Sequence, residues 1–112
     1  MAADLVAVVD AAAVVAGATR KARGGTVDYA VDGAIVAGLG PAGVEFRLGP
    51  EVAAAALGTP DALPSARGRD WVAFRPRTLD RFALDRIAAW FGLAAKLSSR
   101  SPAPGPTASP AR

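Results

Sequence analysis

The sequence predicts an α+β fold: an N-terminal helix, a three-strand antiparallel meander, a short helix, a fourth strand and a long C-terminal helix packed on one face of the sheet. Three observations predict it. Thr26 to Leu48 shows period-two alternation broken by Asp32-Gly33, a dipeptide suited to a two-residue hairpin turn because both central residues need positive φ. Leu79 to Leu97 carries an apolar stripe at helical spacing. Between them lies Arg67-Gly68-Arg69-Asp70-Trp71-Val72-Ala73-Phe74-Arg75-Pro76-Arg77, a short strand bracketed by four arginines and stopped by Pro76.

Asp4 can cap the first helix by accepting from N–H groups of the first turn. Leu5, Val8, Val9, Ala12, Val15 and Ala16 then recur at helical spacing, and Gly17 is its stop. Arg20, Lys21 and Arg23 precede Gly24-Gly25 as a basic loop for phosphates. A solvated helix end, its cations favoured by the dipole, is the simpler alternative. Thr26 to Val31 sets Val27, Tyr29 and Val31 on one face, and Ala34 to Ala37 returns after the hairpin. Gly38 to Gly43 reads as a longer turn. It lacks the Lys-Ser/Thr ending of a phosphate loop and opens no helix.

Val44 to Leu48 alternates as the third strand of the meander, with Val44, Phe46 and Leu48 inward and Glu45 and Arg47 outward. Pro50 and Glu51 suit the first turn of a short helix through Leu57, ended by Gly58. Thr59 to Ala66, with two prolines, reads as a surface loop. Trp71 to Arg75 is the fourth strand and Thr78 the expected N-cap of the long helix. On that helix Leu79, Phe82, Ala83, Ile87, Trp90, Phe91, Ala94 and Leu97 form the stripe, and Arg81 can pair with Asp85.

The chain of 112 residues is expected to hold one domain, residues 1–97, with 98–112 a disordered tail of Ser, Pro, Ala and Gly. A domain of that size buries roughly 60–70% of its unfolded surface, enough for one modest core. Cysteine and histidine are absent, which removes thiolate and imidazole chemistry, disulfides and zinc sites of the usual kind. No carboxylate pair is set by a motif, so no catalytic residue, metal or cofactor is expected, and the protein is expected not to be an enzyme. The apolar run after Leu5 is interrupted by Asp10, lacks a basic leader and is too short to span a bilayer. A cytoplasmic location is expected. The net charge of +3 comes almost wholly from arginine, Lys21 and Lys96 being the only lysines. That balance suits phosphate partners, or a coding sequence rich in G and C.

In Val44-Glu45-Phe46-Arg47-Leu48-Gly49-Pro50-Glu51, in Ala56-Leu57 with Pro60 beyond, and in Gly68 with Trp71-Val72, the chain resembles the MmcQ/YjbR family and the related N-terminal domain of TfoX-like proteins. The resemblance spans Asp4 to Leu97. A small bacterial family described as luciferase-like shares these features. The resemblance implies an α+β fold, a double-wing DNA-binding surface and no known enzymatic activity. Where members carry Lys-His before the tryptophan, this chain has Arg69-Asp70.

If Val72 and Phe74 join Phe46 in the core, Trp71 and Arg75 share the open sheet face with Arg47. Arg67, Arg69 and Arg77 then frame that face. Such a surface suits a protein-interaction or homo-oligomerisation domain. It equally offers stacking and phosphate contacts to a nucleic acid or other polyanion. Asp28, Glu45 and Asp70 can instead neutralise the arginines across strands. A third possibility is a small apolar ligand held near Tyr29 and Trp90.

Overall fold

The computed structural model describes residues 3–100. In chain order the elements are α1 (Ala3–Ala16), β1 (Thr19–Arg23), β2 (Thr26–Val31), β3 (Ala34–Gly40), β4 (Gly43–Arg47), α2 (Pro50–Ala56), β5 (Ala62–Pro64), β6 (Trp71–Phe74) and α3 (Arg81–Arg100). The strands form one antiparallel sheet in the order β1-β2-β3-β4-β6-β5. The α+β class and the expected order of elements hold, and the meander gains a strand at its start.

That added strand is the first correction. Arg20 to Arg23 is not a basic loop at a helix end but the edge strand β1, paired from Thr19↔Ala30 to Arg23↔Thr26 around the Gly24-Gly25 turn. All five of its residues are exposed, so no hydrophobic alternation betrays it. Its charges also blunt an edge that would otherwise invite another strand. The second correction concerns Gly38 to Gly43. The strand runs on to Gly40, which pairs with Gly43 and leaves only Pro41-Ala42 to turn. Gly40 packs so closely on Thr26 that an added Cβ would lie 3.1 Å from the threonine methyl. Third, the expected loop after Thr59 contains β5, a three-residue edge strand that pairs Ala62 with Phe74.

The remaining turns follow their residue chemistry. Asp32 and Gly33 both take positive φ, at 52° and 84°, as the hairpin requires. Gly17, at φ 76°, ends α1, and the next N–H reaches back from Ala18 to the Ala13 carbonyl at 2.9 Å. Asp80, not Thr78, caps α3. Its Oδ1 accepts from the Ala83 N–H at 2.9 Å, which places a carboxylate at the positive end of the dipole.

The core lies between the sheet and the helices. Val27, Tyr29, Leu39, Val44, Phe46, Leu48, Val72 and Phe74 from the sheet side meet Leu5, Val9, Ala13, Ala83, Ile87, Trp90 and Phe91. Its aromatics meet edge to face, Phe46 touching both Trp90 and Phe91, Tyr29 touching Phe91, and Phe74 touching Trp90. Tyr29 and Trp90 are therefore packing residues, and the expected apolar ligand site beside them is filled by side chains. The α3 stripe runs through Ala83, Ile87, Trp90, Phe91, Ala94 and Ala95. Phe82 lies outside it, 55% exposed, with the Arg86 guanidinium over its ring. Val15 of α1 likewise points away from the core. Arg81 and Asp85 form no ion pair among those described. α3 continues through Ser98 to Arg100, so the helix outlasts the boundary expected at Leu97. The expected disorder of the rest of the tail falls outside the described residues.

Tyr29 also ties α1 to the sheet. Its hydroxyl donates to Asp10 Oδ1 at 2.6 Å, and Arg20 Nε donates to the same oxygen at 3.1 Å. Burial, followed by the bond to Asp10, pushes the phenol well above the ordinary tyrosine value. The unfolded chain therefore gives up this proton first, near pH of about 10. Above that pH the native state binds more protons than the unfolded one, and stability falls as pH rises. One such proton is worth about 1.4 kcal/mol per pH unit. The unfolding free energy from urea titrations should fall with that slope above pH of about 10, and Tyr29→Phe should lack this share of the loss.

Candidate functional site: the arginine-framed sheet face

The face of the sheet turned away from α1 and α3 carries the candidate site. Antiparallel register brings one residue of every strand into a single row there: Lys21, Asp28, Gly38, Glu45, Ala73 and Leu63. Arg47 and Trp71, partners in the next row, lie on the same face two residues beyond Glu45 and Ala73.

Gly38 leaves a gap in the row, and Arg67 fills it. The Arg67 side chain comes from the loop between β5 and β6 and lays its guanidinium directly on the glycine. An added Cβ on Gly38 would fall within 3 Å of two guanidinium atoms. Nη2 donates to Asp28 Oδ1 at 3.1 Å, and Nε donates to Glu45 Oε1 at 3.0 Å. Ser65 donates its hydroxyl to Glu45 Oε2 and accepts from the Arg67 N–H at 3.1 Å. The second Asp28 oxygen pairs with Arg23 at 3.1 Å. Burial works against the Arg67 charge, but the hydrogen bonds to Asp28 and Glu45 outweigh it and hold the guanidinium above its ordinary value.

Asp28 is a buried carboxylate, 6% exposed, satisfied on both oxygens by arginine. A buried charge of this kind persists only when it is paired and hydrogen-bonded. The expected neutralisation across strands thus occurs at Asp28 and Glu45. It does not involve the Asp70 side chain among the described ion pairs. Asp70 instead uses its backbone carbonyl to accept from Leu48 and Gly49 at 2.8 and 3.0 Å, joining β4 to the start of β6.

The six expected site residues separate into three groups. Arg47, Arg67 and Trp71 come together, with the Arg67 guanidinium 4.8 Å from the Trp71 ring centroid. Trp71 is half-buried, and one face of its indole lies under that cation. Arg69, in the loop before β6, and Arg75, just past its end, are exposed at either end of the strand. Arg77 departs from the group. Its guanidinium pairs with Asp61 at 3.5 Å, and its backbone N–H donates to the same carboxylate. Among the described residues, Arg47, Arg69 and Arg75 have no carboxylate within ion-pair distance.

Gly38 and Ser65 are the site residues that sequence reasoning missed. Gly38 had a signal: a glycine inside a strand often marks a close approach by another group. Among the described residues no group of three or more His, Cys, Asp or Glu is placed to hold a metal. No described helix is long and apolar enough to cross a membrane. No family model, curated protein or solved structure matches the chain.

Proposed function

We propose that this domain is a non-catalytic interaction module that engages an acidic protein segment through the arginine-framed sheet face. The observation that carries this reading is the set of Arg47, Arg69 and Arg75, exposed around the half-buried Trp71 and, among the described residues, with no carboxylate of their own. Arginine and tryptophan are the residue types that most often anchor interfaces. The carboxylates on this face, Asp28 and Glu45, are committed to arginines, which leaves them poorly suited to general-base work. Kinship to the MmcQ/YjbR family belongs to the same proposal. Its support is the quoted motifs and the element order they accompany. The absence of cysteine fits a reducing compartment and supports a cytoplasmic location.

Nucleic acid is the second reading, favoured by Lys21 and Arg23, which extend positive charge across the same face to β1. The Arg67 guanidinium over Trp71 counts against it, because single-stranded binding relies on free aromatic faces for the bases.

The test uses the full chain with two labelled probes, a polyglutamate peptide and a random-sequence duplex DNA, each at two salt concentrations. Arg47→Ala, Arg69→Ala and Arg75→Ala combined should leave the circular dichroism spectrum unchanged. They should weaken peptide binding by more than about tenfold, equivalent to about 1.4 kcal/mol. Full retention of affinity by the triple variant would defeat the surface assignment. Tight duplex binding with a log–log salt slope of about −3 or steeper would move the conclusion to the second reading.

A further inference from the structure

The opposite side of the molecule carries a second surface that the sheet face does not explain. Every residue of α1 except Asp4 and Asp10 is apolar. A helix apolar all round belongs in an environment that covers all of it. The fold covers one side, through Leu5, Val9 and Ala13, and leaves Val14 79% and Val15 90% exposed. Beside Val15 lies a groove of about 650 Å³ between α1 and α3, walled by Val8, Ala12 and Val15 on one side and Leu84, Ala88 and Gly92 on the other. Its α3 wall is low. A methyl group added at Gly92 would meet no atom within 4 Å.

We infer that this helix layer is the interface between two copies of the chain, packed about a two-fold axis. The charge pattern of α3 selects that occupant. Asp85, Ala88, Gly92 and Lys96 follow at helical spacing along one exposed strip, an acid at one end and a base at the other. Neither Asp85 nor Lys96 takes part in an ion pair among the described residues. The two charges stand about 16 Å apart along the helix axis. Antiparallel pairing of two such strips sets each Asp85 against the partner's Lys96, while Ala88 and Gly92 let the backbones approach. The exposed Val15 and an apolar groove on the same patch are what an isologous interface requires, each copy supplying both ridge and recess. Residues 101–112, Ser-Pro-Ala-Pro-Gly-Pro-Thr-Ala-Ser-Pro-Ala-Arg, carry no large apolar side chain with which to fill the groove. The dimer leaves both sheet faces outward, so this inference stands apart from the proposed function.

Sedimentation equilibrium of the full chain over a range of concentrations tests it. The expected mass is that of two 11.3 kDa chains. Val15→Lys, at a side chain that touches little in the monomer, should raise the dimer dissociation constant by at least about tenfold. Its circular dichroism and polyglutamate binding should be unchanged. Asp85→Lys should also weaken the dimer, and Asp85→Lys with Lys96→Asp should restore it. A wild-type chain that is monomeric throughout overturns the inference. So does a dimer indifferent to Val15→Lys, or an Asp85→Lys defect that Lys96→Asp does not rescue.

Discussion

Phe46→Ala should cost about 3–5 kcal/mol, the usual loss when a buried aromatic is truncated. Phe46 is fully buried at the centre of β4 and makes edge-to-face contacts with both Trp90 and Phe91. Removing its ring takes away two of the sheet's edge-to-face contacts to α3 and leaves a cavity beside two large, stiff neighbours. A domain of this size has only about 5–15 kcal/mol of stability to lose, so the variant should lose a large share of it. Equilibrium urea denaturation followed by tryptophan fluorescence measures the effect. Phe46→Leu, which keeps most of the apolar volume, should cost much less. Equal losses for the two variants would show that the ring contacts, not the retained apolar volume, carry the effect.

Arg67→Ala should be the most damaging single change on the site side. It removes the partner shared by Asp28 and Glu45, whose side chains are 8% and 14% exposed. Loss of one member of a fully buried ion pair costs about 3–5 kcal/mol. Arg67 itself is 27% exposed, and Asp28 retains Arg23, so solvent screening reduces the expected loss to about 2–3 kcal/mol. Gly38 supplies an internal control. In the wild type, Gly38→Ala forces the guanidinium off the sheet and should destabilise. In the Arg67→Ala background the three atoms nearest that methyl are gone, and removing a strand glycine should then be neutral or favourable by about 0.5–1 kcal/mol. Thermal denaturation of the four-member cycle measures this coupling, and additive effects would show that Arg67 does not rest on Gly38 in solution.

The two predictions differ in how far the sequence alone announces them. Phe46 is legible because Val44, Phe46 and Leu48 alternate with Glu45 and Arg47, and period two in a strand assigns faces without knowledge of its neighbours. The Asp32-Gly33 turn, the proline start of α2 and the strand from Trp71 to Phe74 are legible for similar reasons, since each depends on steric or periodic rules within a few residues. β1 is not, because an edge strand exposed on both faces shows no burial pattern. Nor is the Asp80 cap distinguishable from Thr78, both residue types being good caps at neighbouring positions.

The arginines around Trp71 show the same division more sharply. Their concentration is written in the chain, and so is their opposition to Asp28 and Glu45 as charges on the polar face. Which arginine takes which acid is not. Arg67 meets Asp28 across a separation of 39 residues, and only the strand order β2-β3-β4-β6 brings them together. Arg77 pairs with Asp61 because β5 runs back along β6 and carries that carboxylate to the end of the strand. The sequence by itself therefore determined the three helices, the four central strands, their inward residues and the presence of a basic, aromatic surface, all of which follow from local sterics and hydrophobic period. Tertiary structure alone decided which cations are neutralised, which remain free and that α1 is left half uncovered, because charge pairing and burial depend on contacts between residues far apart in the chain.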